Sequence, residues 1–139
     1  MARILAIDYG KKRVGVAVTD PLQIICTGLP TVANKDIFSF LKQYCEKENV
    51  EAFVIGESKN LDNTKSQVAE EIEQFAVKLQ EMFPNKKLHW MDERFTSKMA
   101  VQSMVLSGMK KKKRQQKELV DEISATLILQ SFLQLKNRI

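Results

Sequence analysis

The stretch that most constrains the fold is Ile4-Leu5-Ala6-Ile7-Asp8-Tyr9-Gly10, followed by Lys11-Lys12-Arg13 and then Val14-Gly15-Val16-Ala17-Val18-Thr19-Asp20. An apolar run is broken by a glycine and three basic residues, after which Val14, Val16 and Val18 alternate with a period of two. The pattern predicts a β-hairpin. Its chemical signal is Asp8, because a carboxylate ending a run of core-type residues costs on the order of several kcal/mol to bury unless a cation or hydrogen-bond donors meet it. A metal ion is one such partner, and the backbone amides of the turn are another. Gly10 and Gly15 flank the turn, and glycine in a strand marks a bulge or a place where a second backbone or a ligand comes close. A phosphate backbone is a candidate visitor.

A chain of 139 residues, 44% hydrophobic and 28% charged, has the size and composition of one globular domain spanning 1–139. With 3 prolines and 5 glycines it is not a collagen-like or extended disordered chain. Cys26 and Cys45 have neither the spacing of a zinc site nor the number of a disulfide framework, so they are expected as buried thiols in a reducing compartment. No apolar run approaches the ~20 residues needed to span a bilayer, and Met1 to Ile7 is too short for the apolar part of a signal peptide. A cytoplasmic protein with no membrane partner is expected. The formal net charge is +5, and Lys110-Lys111-Lys112-Lys113-Arg114 supplies five positive charges by itself. The whole excess is therefore concentrated in one run, which suits neutralisation of adjacent phosphates, although a solvated loop would carry the same charges.

Beyond the hairpin, Gln23 to Val32 predicts a third strand whose Gly28 and Pro30 indicate an edge or a bulge. Asn34 is placed to cap a helix over 35–47 with Ile37, Phe38, Leu41 and Tyr44 or Cys45 on one face. Glu51 to Gly56 reads as a buried parallel strand. The polar loop Glu57 to Thr64 leaves its carboxyl end, where ligands of open α/β sheets bind. A long helix from Lys65 to Met82 follows, with Val68, Ala69, Ile72, Phe75, Ala76 and Leu79 as its apolar stripe and Pro84 as its stop. Lys87 to Ser97 delivers Asp92, Glu93 and Arg94 on a strand in which the two acids point to opposite faces, so only one can share a site with Asp8. Arg94 can hold a phosphate or pair with Asp92. His89, the only histidine, reads as a strand side chain. A helix over 97–106 ending at Gly108 precedes the basic run, which lacks apolar periodicity and is expected as a loop that orders on a phosphate backbone.

The last helix, about Lys117 to Lys136, carries Asp121 on a stripe with Ser124, Ala125 and Ile128, whose small members let the helix lie close to a sheet. Asp121 is also an acid near a helix N-terminus, where the macrodipole favours it.

Asp8-Tyr9-Gly10-Lys11-Lys12-Arg13-Val14-Gly15-Val16-Ala17 strongly resembles the opening motif of the YqgF family, also called RuvX. These are ribonuclease H-like proteins described as Holliday junction resolvases and as pre-16S rRNA processing nucleases. Asp92-Glu93-Arg94 and the hydroxyl residues after it resemble a further motif of the family and favour Glu93 as the site acid. Lys117-Glu118-Leu119-Val120-Asp121 with Ser124-Ala125 resembles another and favours a functional Asp121. The loop at 57–64 resembles a fourth in its Asn60, Asp62 and Thr64, but Glu57-Ser58-Lys59 replaces the usual leucine-proline start and Asn63 stands where glycine is common. The resemblance runs from residue 3 to about residue 134.

It implies an α/β fold with a five-stranded mixed sheet, three antiparallel strands then two parallel, flanked by helices. Asp8, Glu93 and Asp121 are the implied metal-binding and catalytic residues. Oxygen-only ligands select hard cations, so Mg²⁺ is the expected cofactor, with Mn²⁺ a plausible substitute. Lys11, Lys12, Arg13, Asn60, Thr64, Arg94 and the run from Lys110 to Arg114 are the expected nucleic-acid contacts, reading backbone rather than sequence. The implied activity is metal-dependent hydrolysis of phosphodiesters, at the 5′ end of precursor 16S rRNA or on four-way DNA, by a monomer or a homodimer. A non-catalytic RNA-binding module for ribosome assembly is the rival reading. Sugar kinases and actin-like ATPases share an Asp-x-Gly turn, but they need two such domains.

Overall fold

A computed structural model of the protein describes residues 2–57, 69–92 and 117–136, with backbone alone at 57, 92 and 117–122. The opening run forms β1 (Arg3–Asp8) and the alternating run forms β2 (Arg13–Thr19), paired antiparallel with Asp8 opposite Gly15. β3 (Cys26–Ala33) pairs antiparallel with β2, while β4 (Val50–Glu57) and β5 (Lys87–Asp92) add parallel strands on the other side of β1. The sheet order is β3-β2-β1-β4-β5. The expected mixed sheet, three antiparallel strands followed by two parallel, is therefore present. β3 is an edge strand, and its register with β2 shifts between Val14 and Val16, so Gly28 and Pro30 sit on a strand that has both an open edge and an irregularity.

Strand alternation sorts the core into two halves. Leu5, Ile7, Val14, Val16, Phe53 and Ile55 face α1 (Ile37–Lys47) and α2 (Ala69–Met82), which contribute Ile37, Leu41, Ile72, Phe75, Ala76 and Leu79. Ile4, Ala6, Ala17 and Val54 face α3 (Lys117–Lys136), which contributes Ala125, Ile128, Leu129 and Leu133. β1 is buried on both faces, which is why its sequence is a continuous apolar run rather than an alternating one. On the α3 side the facing residues are small on both partners, Gly15, Ala17 and Ala6 against Ser124 and Ala125, and all are buried.

Three expectations need correction. The third strand begins at Cys26 rather than Gln23, because residues 20–25 form a loop tied by the Asp20 carboxylate, which accepts backbone N–H bonds from Leu22, Ile24 and Ile25 at 3.2, 2.7 and 2.8 Å. Asn34 does not cap α1. A short 3₁₀ turn, Asn34–Asp36, comes first, the helix has no side-chain cap at Asp36, and the Asn34 amide is used elsewhere. Cys26 and Cys45 are free but only half-buried, with burial pushing both thiols above their usual range. The helix expected over 97–106, the basic run, the loop at 58–64 and the first turn of the long helix lie outside the described residues. No helix of the described residues is long and apolar enough to cross a membrane.

Candidate active site

Asp8 is the last residue of β1 and is half-buried. Alternation from Ile4 and Ala6 assigns it to the α3 face of the sheet. Its lateral neighbours are glycines. Gly15 lies opposite on β2, and on β4 Ile7 pairs with Ile55, one residue before Gly56. Neither neighbouring strand therefore puts a side chain on the flank of the Asp8 carboxylate, which is where glycine lets a ligand approach.

The same end of the sheet collects the other candidate elements. β4 and β5 run parallel to β1 and end together, with Glu57 in register with Asp92. α3 runs the opposite way. Its last turns meet the starting ends of the strands, where Phe132 and Leu135 share a cavity with Ile4, Ala52 and His89, and Lys136 Nζ donates to Gln23 at 2.7 Å. Its N-terminal turns, with position 121 one turn before Ala125 on the sheet-facing stripe, therefore lie toward the strand ends that carry Asp8. The spacing agrees. Ile4 to Asp8 spans ~13 Å of strand and Phe132 to position 121 spans ~16 Å of helix.

Among the described residues no group of three His, Cys, Asp or Glu side chains comes together. Asp8 is the only one of the three expected acids whose side chain is described, because Glu93 lies outside the described residues and Asp121 is described as backbone. Asn60, Thr64, Arg94 and Lys110 to Arg114 also lie outside. Two features still fit a hard cation at this end of the sheet. The side chain in place offers carboxylate oxygens, and the Ser124 hydroxyl, buried on α3, finds no hydrogen-bond partner among the described residues.

The turn bearing the basic residues is built to hold its shape. The Asn34 side-chain amide donates to the Gly10 carbonyl at 2.6 Å, and the Asn34 backbone N–H donates to the Lys12 carbonyl at 2.9 Å. A Cβ at Gly10 would stand 2.4 Å from the Arg13 carbonyl oxygen, so only glycine fits. Tyr9 packs on α2 with its ring 4.9 Å from that of Phe75. Lys12 is exposed, Lys11 is exposed and 3.7 Å from Glu71, and Arg13 is half-buried at the start of β2. A surface pair such as Lys11–Glu71 is worth about 0–1 kcal/mol and yields readily to a phosphate.

The sequence announces neither the bonds of Asn34 to this turn nor the unpartnered hydroxyl of Ser124. An Asn before a helix reads as a cap, and a Ser on a helix stripe reads as a small packing residue. His89 belongs to the opposite end of the sheet, with its ring 4.8 Å from that of Phe132. Burial, followed by the charges of Lys87 and Lys136, holds its imidazole below the usual pKa, which favours the neutral form.

A sequence model of the RuvX family, described as Holliday junction resolvase, matches residues 2–135. A protein of Flavobacterium psychrophilum bearing the name "Putative pre-16S rRNA nuclease" is 53% identical over 133 residues, 96% of this chain and 97% of that protein. One of the same name from Phocaeicola vulgatus is 52% identical over 139 residues, the full length of both. Among solved structures, T. thermophilus RuvC in complex with a Holliday junction substrate matches with a TM-score of 0.58 at 14% identity, covering 99% of this chain and 96% of that one. The Fowlpox virus resolvase, also complexed with Holliday junction DNA, matches with a TM-score of 0.57 at 12% identity, covering 96% and 98%. These two likenesses establish the fold, which is ribonuclease H-like.

Proposed function

The chain belongs to the RuvX family, and from that premise we propose that it is a divalent-metal-dependent nuclease of the cytoplasm that processes the 5′ end of precursor 16S rRNA. The observation that carries this reading is the gathering of Asp8, the carboxyl ends of β4 and β5 and the N-terminal end of α3 at one end of the sheet. The names of relatives more than 50% identical over almost their whole length support RNA as the substrate.

In this reading Asp8, Glu93 and Asp121 hold the cation, which we take to be Mg²⁺. Glu93 is preferred to Asp92 because the Asp92-Glu93-Arg94 stretch resembles the family motif in which the glutamate is the site acid. When bound, the ion supplies charge stabilisation to the phosphate and a more acidic water at neutral pH. The protein's own contribution is to fix the carboxylates before substrate arrives, so that little reorganisation accompanies the reaction. Gly15 and Gly56 put no side chain beside Asp8 on its neighbouring strands. Lys11, Lys12 and Arg13, on a turn clasped by Asn34, together with Asn60, Thr64, Arg94 and the run Lys110 to Arg114, grip the phosphate backbone and position it without reading bases.

The family description keeps four-way DNA as the second reading. The two are separated by incubating the protein side by side with a precursor 16S rRNA fragment and a four-way DNA junction, with Mg²⁺ and with chelator. Cleavage of the RNA that disappears with chelator is expected. Symmetric cutting of the junction alone would transfer the activity to DNA, and failure to cut either with any divalent ion would leave a binding module.

A further inference from the structure

Among the described side chains of α3, Ser124 is the buried polar one. Its neighbours Ala125, Ile128 and Leu129 are fully buried, and Ser124 is 1% exposed with its Oγ shut off from solvent and unbonded among the described residues. A buried hydroxyl without a partner is costly, and alanine at the same helix position would avoid that cost and favour the helix. Such a residue points to a partner that the described residues do not supply.

Its place along the sheet indicates which. Phe132 and Ile4 line one cavity, and Ile128 packs in the same cluster as Ile4 and Ala6. Four helical residues advance roughly 6 Å and two strand residues about 6.6 Å, so the helix steps 132, 128, 124 keep pace with the strand steps 4, 6, 8. Ser124 therefore lies toward the end of the sheet that carries Asp8 and one turn from position 121, on the face of the helix that meets the sheet.

We propose that the Ser124 hydroxyl is a positioning group of the metal centre, hydrogen-bonding a water molecule that hydrates the divalent cation. The inference rests on the proposed function, because it needs the cation at Asp8 and Asp121. Mg²⁺ keeps several of its waters when bound by protein, so a donor and acceptor one shell out has a ready partner.

The test is thermal unfolding of the full chain across a Mg²⁺ titration, for the wild type, Ser124→Ala, Asp8→Asn, the double variant and Ser131→Ala as a control on the same helix. In chelator, Ser124→Ala should melt at or above the wild-type temperature, since only an orphan hydroxyl has been removed. The Mg²⁺ concentration giving half of the stabilising shift should rise about tenfold in Ser124→Ala and stay at the wild-type value in Ser131→Ala. In the Asp8→Asn background, Ser124→Ala should add nothing to the Mg²⁺ response. A wild-type shift that Ser124→Ala reproduces at the same half-point overturns the role of Ser124 while leaving the metal centre standing. A lower melting temperature of Ser124→Ala in chelator also overturns it, by revealing a structural hydrogen bond. A wild type that shows no shift with Mg²⁺ or Mn²⁺ overturns the metal centre and this inference together.

Discussion

Thr19 shows what a single buried polar residue can hold in place. Its Oγ accepts the Ile4 N–H at 2.9 Å and its hydroxyl donates to the Asp20 carbonyl at 2.9 Å, joining the start of β1 to the end of β2. Replacing it with the isosteric valine strands the buried Ile4 N–H, and Thr19→Val should lower the unfolding free energy by about 1–3 kcal/mol in denaturant titration. Gly10 is constrained by space. Gly10→Ala drives a methyl into the Arg13 carbonyl, so the turn must open at a cost of about 1–3 kcal/mol, with weaker nucleic-acid binding measured by fluorescence anisotropy. At this scale the sequence was only partly legible. Asp8 stood out because a carboxylate interrupts an apolar run. Asn34 did not, because its partners Gly10 and Lys12 are more than twenty positions away and a local reading assigns it to the helix beside it.

At the scale of elements, the strands and helices with clear periodicity that fall on the described residues appear where the pattern puts them. α3 spans Lys117–Lys136, and α2 ends at Met82 before Pro84. The departures occur where side chains bond backbone out of register with any repeat, as in the loop at 20–25. There Asp20 sits below its usual carboxylate pKa because the Ile25, Ile24 and Leu22 amides bond its charged form. A group depressed on folding stabilises above its unfolded pKa, and that contribution is lost as pH falls through the lower folded value. The amide resonances of Ile24 and Ile25 should therefore move together in an NMR titration, at a pH below the ordinary carboxylate range, and Asp20→Asn should remove that transition. The loop is exposed, so global stability should change little.

For the whole molecule, the topology was readable because β1 and β4 are apolar on both faces and so belong in the middle of the sheet. The proposed site was legible only in parts, since whether residues 8, 93 and 121 meet depends on strand order and on the direction of α3, neither of which is local information. Charge is also a property at this scale. Replacing Lys110 to Arg114 with serine should flatten the salt dependence of RNA binding, reducing the log–log slope by up to about 3.5 if all five meet phosphates. The central claim is that Asp8 serves chemistry rather than folding or binding, and the direct measurement compares Asp8→Asn with the wild type on precursor 16S rRNA in Mg²⁺, recording cleavage and affinity together. The account predicts that the variant binds the RNA about as tightly as the wild type and does not cut it. A variant that cuts at the wild-type rate would contradict it.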